Sequence, residues 1–199
     1  MTAADKVTLL RIILAPFFFI LFLLPELGIL GPEGISLFQG RWYLVVLWVL
    51  FLVIEMTDWL DGKVARLRNE VSDFGKIFDP FADTLVRLTY FLCFIVTGIL
   101  PVIPFLIIIY REFGILFIRI LMMKKGVAMG ARWGGKIKAV SYMITGIFCL
   151  LSVTVERLGI TSLVSGFRMT ANIIFIISTA IAVISFVDYL ILYKKTGKT

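Results

Sequence analysis

The sequence predicts an all-α polytopic membrane protein, six transmembrane helices in one bundle, and three observations carry that reading. Of its 199 residues, 60% are apolar and 17% charged, whereas a water-soluble domain carries about 25% charged residues. The mean hydropathy of +1.03 says the same. Six stretches also have the roughly 20 mostly apolar residues that a helix needs to cross a bilayer. No repeat or low-complexity segment divides the chain, so residues 1–199 read as one domain. The chain has no His, which excludes a Ser-His-Asp triad, imidazole base catalysis and His-ligated zinc. Any chemistry falls to carboxylates, cations, hydroxyls or bound metal.

The first stretch covers about residues 7–27. Lys6 and Arg11 before the apolar run Ile12 to Leu24 give it the look of a signal peptide, but Pro25, Glu26 and Leu27 offer no small-residue cleavage pattern. An uncleaved first span is therefore expected. Pro25, Gly28, Gly31, Pro32 and Gly34 end it, and the second stretch follows at 42–66. The third, 78–100, is parted from the fourth, 102–123, by Pro101 and Pro104. Gly126, Gly130, Gly134 and Gly135 precede the fifth, 137–156, and the sixth occupies 169–193. Pro and Gly are the residues that interrupt helices most strongly. Cys93 and Cys149 lie inside apolar runs, where packing is the expected role.

Loop charges orient the bundle. Lys63, Arg66, Arg68 and Lys76 join Lys124, Lys125, Arg132, Lys136, Lys138 and both basic chain ends on one side, against Arg41, Arg157 and Arg168 on the other. By the positive-inside bias both termini are cytoplasmic, in the cell membrane. The net charge of +7 is then a matter of topology and of attraction to anionic lipid, most plainly in the Lys-rich tail after Tyr193, with the bilayer and not nucleic acid as partner.

The second stretch ends in a run that topology does not explain. Asp58, Asp61, Gly62, Ala65 and Arg66 are spaced three, four, seven and eight positions from the first, so they share one helical face. The third stretch opens with Gly75, Asp79 and Asp83, the two Asp again one turn apart. Both pairs lie at the cytoplasmic ends of adjacent spans and can face each other. Four carboxylates in a low-dielectric space repel unless cations join them. All-oxygen ligands suit Mg²⁺ or Mn²⁺, and a pair of such ions serves displacement at phosphorus. Gly62 and Ala65 leave room for a phosphorylated ligand near the backbone, so the two features point to a nucleotide diphosphate over a metal pair. One intramembrane Asp, or one Gly with Ala, is commonly helix packing or an ion path. Four Asp with Gly and Ala at these offsets fit that poorly, although a cation-coupled transporter stays in competition.

The 26-residue run from Asp58 to Asp83 is similar, at all eight specified positions (Asp58, Asp61, Gly62, Ala65, Arg66, Gly75, Asp79, Asp83), to the signature of the CDP-alcohol phosphotransferases. The resemblance implies that Asp58, Asp61 and Asp79 ligate two divalent ions and that Asp83 is both ligand and general base. It implies that Asp61, Gly62, Ala65 and Arg66, with Gly75 and Thr8, hold the CDP group, and that the protein is a homodimer. The implied reaction is attack on the β-phosphorus of a CDP-linked lipid, CDP-diacylglycerol, with CMP leaving.

The acceptor is read from the rest of the chain. Arg111 and Arg119 are two turns apart on one face of the fourth span, with Glu112 beside them, and Lys136 and Lys138 open the fifth. Intramembrane arginines are costly enough to suggest function, although Glu112 could pair with a neighbour and Arg119 could snorkel to the interface. A phosphorylated acceptor calls for such cations and a neutral alcohol does not. The stretch from Arg111 to Lys138 resembles the phosphatidylglycerophosphate synthases of the family. That implies that Arg111, Arg119, Lys136 and Lys138 bind the phosphate of sn-glycerol 3-phosphate. Asp5, Thr8 and Arg11 resemble an Asn, Thr, Arg pattern in the same enzymes, with Asp in place of Asn. Thr84 stands where Lys is expected, with Arg87 one turn on. Inositol phosphate and neutral alcohols remain the competing acceptors.

Overall fold

The computed structural model describes residues 3–27, 38, 40–68, 73–126 and 133–196, with side chains described for these except 3–4, 58–68, 73–74, 76, 133 and 196. Six helices account for nearly all of it: α1 (Ala3–Leu23), α2 (Arg41–Arg68), α3 (Asp73–Val96), α4 (Val102–Lys124), α5 (Trp133–Arg157) and α6 (Thr161–Thr196). Each of the six apolar stretches thus falls on one helix, the first and third running four residues past its end, and there is no strand among the described residues. α1, α5 and α6 are long and apolar enough to cross a membrane. The other three carry charges inside their length, such as Asp79, Asp83 and Arg87 on α3 and Arg111, Glu112 and Arg119 on α4.

The helix ends follow local chemistry. α3 stops at Gly98, which takes φ +69, a left-handed conformation that a residue without Cβ adopts freely. The next two amides, Ile99 and Leu100, donate back to the Phe94 carbonyl at 2.8 and 3.1 Å, closing the helix as a glycine C-cap does. Glycine, more than the prolines, ends this helix. Pro101 precedes α4 and Pro104 falls in its first turn, where a missing N–H has no intrahelical partner to lose.

α5 packs extensively on α6, α1 lies against α2 and α3, and α4 lies against α6 and α3. An aromatic core ties these together. Phe18 meets Phe51 at 6.5 Å, Phe51 meets Tyr90 at 5.6 Å, and Phe91 touches both Tyr142 at 5.2 Å and Phe175 at 4.9 Å. Gly146 on α5 permits the approach of α2, since a Cβ there would stand 2.8 Å from the Phe51 ring. Trp48 Nε1 donates to Thr154 Oγ1 at 2.9 Å and reinforces the same contact.

The polarity of the molecule is inverted relative to a soluble protein. Ile103, Ile184, Phe17 and Phe117 face outward while Arg11, Arg87, Arg111, Glu112 and Lys138 are buried. Apolar exterior on every face and charge within is the arrangement of a membrane protein, in which polar groups turn to one another. The buried charges gather at one end of the bundle. At the other end, Arg157 pairs with Glu26 at 2.6 Å and Arg168 with Glu156 at 2.8 Å.

Candidate active site

The buried charges come from the N-terminal halves of α1 and α5, with Asp5, Arg11 and Lys138, and from the middle of α3 and α4, with Arg87, Arg111 and Glu112; Glu55 on α2 is half-buried. Along α1, Asp5, Thr8 and Arg11 fall on one face with Ala15, Phe18 and Phe22, and all six are buried. The polar residues occupy the start of that face and the aromatics its remainder. The Thr8 hydroxyl donates to Asp79 Oδ1 at 3.0 Å. Arg11 Nη2 lies 2.9 Å from Asp83 Oδ1. Asp5 lies inside the first turn of α1, where a carboxylate faces the unpaired amides of the helix start.

On α3, Asp79 and Asp83 stand one turn apart around Pro80. Proline cannot donate to the carbonyl four residues earlier, so the backbone ladder is interrupted where the two carboxylates emerge. The Thr84 hydroxyl turns back to the Pro80 carbonyl at 2.9 Å and contributes no charge. Arg87, one turn further, is buried and borders the cavity, supplying a cation close to where Lys was expected. Gly75 is buried in the first turn of the same helix.

Asp79 and Asp83 form part of the wall of a cavity of about 280 Å³ that is also lined by Arg111, Arg119, Lys136 and Lys138. All four cations predicted for the acceptor phosphate therefore share one space with two of the four signature carboxylates. Asp58, Asp61, Gly62, Ala65 and Arg66 belong to the last turns of α2, and their side chains lie outside the described residues. A smaller cavity beside the first is lined by Arg11, Glu55, Asp83 and Arg87, which brings Glu55 to the same end.

The four cations are not equivalent. Glu112 stands among them, taking Lys138 Nζ at 2.6 Å and Arg111 Nη1 at 3.0 Å, with the Tyr142 hydroxyl at 3.4 Å. Arg111 also donates from Nε to the Ala182 carbonyl at 3.1 Å and from Nη2 to Ser185 Oγ at 3.2 Å. Every nitrogen of its guanidinium is engaged by the protein. Arg119 makes one side-chain contact of this kind, from Nη2 to the Tyr189 hydroxyl at 3.3 Å, and its buried Nε has no hydrogen-bond partner among the described residues. Lys136 is the exposed member of the set.

Glu112 pairs with its neighbour Arg111, as its place in the sequence allows, but its bond to Lys138 spans 26 residues and was not foreseen. One participant escaped the sequence reading altogether. Tyr189 lines the cavity from α6, and nothing in an apolar helix marks one tyrosine above another.

An all-helical bundle with an apolar exterior and an internal cavity lined by both carboxylates and cations defines a class: helical proteins of membrane type with a charged site at one end of the bundle. The chain belongs to the CDP-alcohol phosphatidyltransferase family, whose sequence model matches residues 1–185. It is 34% identical to a "CDP-diacylglycerol--glycerol-3-phosphate 3-phosphatidyltransferase" of Treponema pallidum (strain Nichols), with 100% of this chain and 94% of the relative covered. A protein of the same name from Bacillus subtilis (strain 168) is 34% identical over 70% of this chain and 72% of its own. A "Cardiolipin synthase (CMP-forming)" of Streptomyces coelicolor is 33% identical over 56% of this chain and 47% of its own.

Proposed function

We propose that this protein transfers the phosphatidyl group of CDP-diacylglycerol to sn-glycerol 3-phosphate, giving phosphatidylglycerophosphate and CMP. One observation carries the reading: Asp79 and Asp83 share a single cavity with Arg111, Arg119, Lys136 and Lys138. The reaction needs both walls, one to bind the diphosphate and activate a hydroxyl, the other to hold the phosphate of the acceptor. The two relatives named for this activity support the choice of acceptor.

Asp79 and Asp83 offer only oxygen donors, which fits a hard divalent cation, and Asp58 and Asp61 complete the proposed ligand set. Two ions, Mg²⁺ or Mn²⁺, are proposed. When bound, they supply charge neutralisation at the diphosphate and at the departing CMP. The protein's own side chains do the rest. Asp83 accepts the proton of the acceptor hydroxyl, which is a poor nucleophile at neutral pH. Arg11 holds that carboxylate from α1, as Thr8 holds Asp79. Asp61, Gly62, Ala65, Arg66 and Gly75, with Thr8, form the proposed CDP site. Arg119 and Lys136 face the acceptor phosphate directly, and Arg111 and Lys138, clamped on Glu112, form the wall behind.

The reading includes six membrane spans, both termini and the active site on the cytoplasmic side, and a homodimer. The alternation of the helices supports the topology, since it gathers the starts of α1, α3 and α5 and the ends of α4 and α6 at one pole. The test is direct. Membranes containing the protein, given CDP-diacylglycerol, Mg²⁺ and labelled glycerol 3-phosphate, release CMP and label lipid. CMP release with inositol phosphate or a neutral alcohol in preference to glycerol 3-phosphate would replace the acceptor, and no CMP release with any acceptor sinks the enzyme reading.

A further inference from the structure

The last helix contributes no charged residue to the cavity lining, yet it meets both arginines of α4. Ala182, Ser185 and Tyr189 are three and four residues apart, one face of α6, and all three are buried. The Ala182 carbonyl and Ser185 hydroxyl take Arg111, and the Tyr189 hydroxyl takes Arg119. The Arg119 guanidinium carbon also lies 5.8 Å from the centre of the Tyr189 ring, within the range of a cation over an aromatic face.

The two contacts have different consequences. Arg111 has every guanidinium nitrogen satisfied by Glu112, Ser185 and a backbone carbonyl, so it is held as framework. Arg119 has a buried Nε that no described residue accepts from, and the residue lines the cavity. A buried charged donor left unsatisfied is unfavourable, so the protein holds Arg119 less completely than Arg111. Which way the remaining N–H groups of Arg119 point is fixed by the contact at its other nitrogen, and that contact is Tyr189, itself 1% exposed.

We propose that Tyr189 is a positioning residue for the phosphorylated acceptor: it orients the Arg119 fork toward the phosphate without touching the reacting atoms. The inference rests on the acceptor site described above and assigns α6 a part in acceptor recognition. A planar guanidinium gains from such fixing, because a two-pronged contact to phosphate requires the fork to be aimed before the ligand arrives.

The experiment uses the full-length protein in lipid nanodiscs, with steady-state kinetics against both substrates and calorimetric binding of glycerol 3-phosphate in the absence of CDP-diacylglycerol. Tyr189→Phe keeps the ring and removes the hydroxyl. It is expected to raise KM for glycerol 3-phosphate about 5- to 10-fold, the net size of one ordinary hydrogen bond, because the phosphate contact itself remains and only its aim is lost. The calorimetric Kd should weaken in parallel, with KM for CDP-diacylglycerol and the melting temperature unchanged. In an Arg119→Ala background, Tyr189→Phe should add nothing, since its effect runs through Arg119. If Tyr189→Phe fails to fold, Tyr189→Met serves instead: it also removes the hydroxyl, and its rise in acceptor KM should likewise vanish in the Arg119→Ala background. An unchanged acceptor KM in Tyr189→Phe, or full additivity with Arg119→Ala, overturns the assignment. If Arg119→Ala itself leaves the acceptor KM unchanged, the acceptor site has been misread, and that result is distinct from a failure confined to Tyr189.

Discussion

Thr8 on α1 donates its hydroxyl hydrogen to Oδ1 of Asp79 on α3 across 3.0 Å, although the two are 71 residues apart in sequence. The first helix therefore does more than anchor the chain: it sets the direction of a carboxylate proposed as a metal ligand. Loss of a group that orients a metal ligand from behind typically costs about 10- to 100-fold in metal affinity or activity. Thr8→Val, similar in volume but without the hydroxyl, should raise the Mg²⁺ concentration for half-maximal CMP release by about 10-fold. Titration of Mg²⁺ at saturating lipid and acceptor measures this. An unchanged midpoint would mean that the Thr8 contact is packing alone.

Asp83 is expected to be the proton acceptor. Asp83→Asn retains shape but takes no proton, and turnover should fall by about 10² to 10⁴. Binding of CDP-diacylglycerol, measured by retention of a labelled nucleotide lipid on the protein, should survive in part. A rate near that of the unsubstituted enzyme would remove Asp83 from the role.

Lys136 is exposed at the start of α5 and lines the cavity. Lys136→Ala should raise KM for glycerol 3-phosphate by about 10-fold or more, the size of a lost contact to a charged group, and spare that for CDP-diacylglycerol. Initial-rate kinetics with each substrate varied in turn separates the two. An equal rise in both would place Lys136 outside an acceptor-specific site.

Glu112 holds Lys138 and Arg111 together inside the bundle. Removing one partner of a buried ion pair leaves the other charge uncompensated and costs about 3 to 5 kcal/mol. Glu112→Ala should therefore destabilise the protein by roughly this amount, and Glu112→Gln, which keeps hydrogen-bonding capacity, by less. Urea unfolding in micelles measures the difference. Wild-type stability in Glu112→Ala would show that the pair is dispensable to the fold.

Much of this was legible in the chain. Hydropathy and the Pro and Gly interruptions located all six helices, because length and apolarity are local properties. The ends shifted where a single residue decides: Gly98, through its positive φ, closes α3 before the prolines are reached. The carboxylates were legible because helical spacing alone puts Asp79 and Asp83 on one face. Arg87 was legible as a cation one turn beyond the place of the expected Lys, but its position with Glu55 beside Asp83 emerges only when α1, α2 and α3 are packed.

The sequence by itself determined the helices, the polar faces they carry and the family signature, since each depends on residues within a few turns of one another. Only the tertiary structure decided how the cations divide. Arg111 and Arg119 are equal in sequence, two turns apart on one face, but Glu112 and α6 engage all the nitrogens of the first and leave the second with a buried Nε that no described residue accepts from. That division depends on contacts spanning 70 or more residues, such as Arg119 with Tyr189. A hydrogen bond across helices is set by packing, and no periodicity along one helix encodes it.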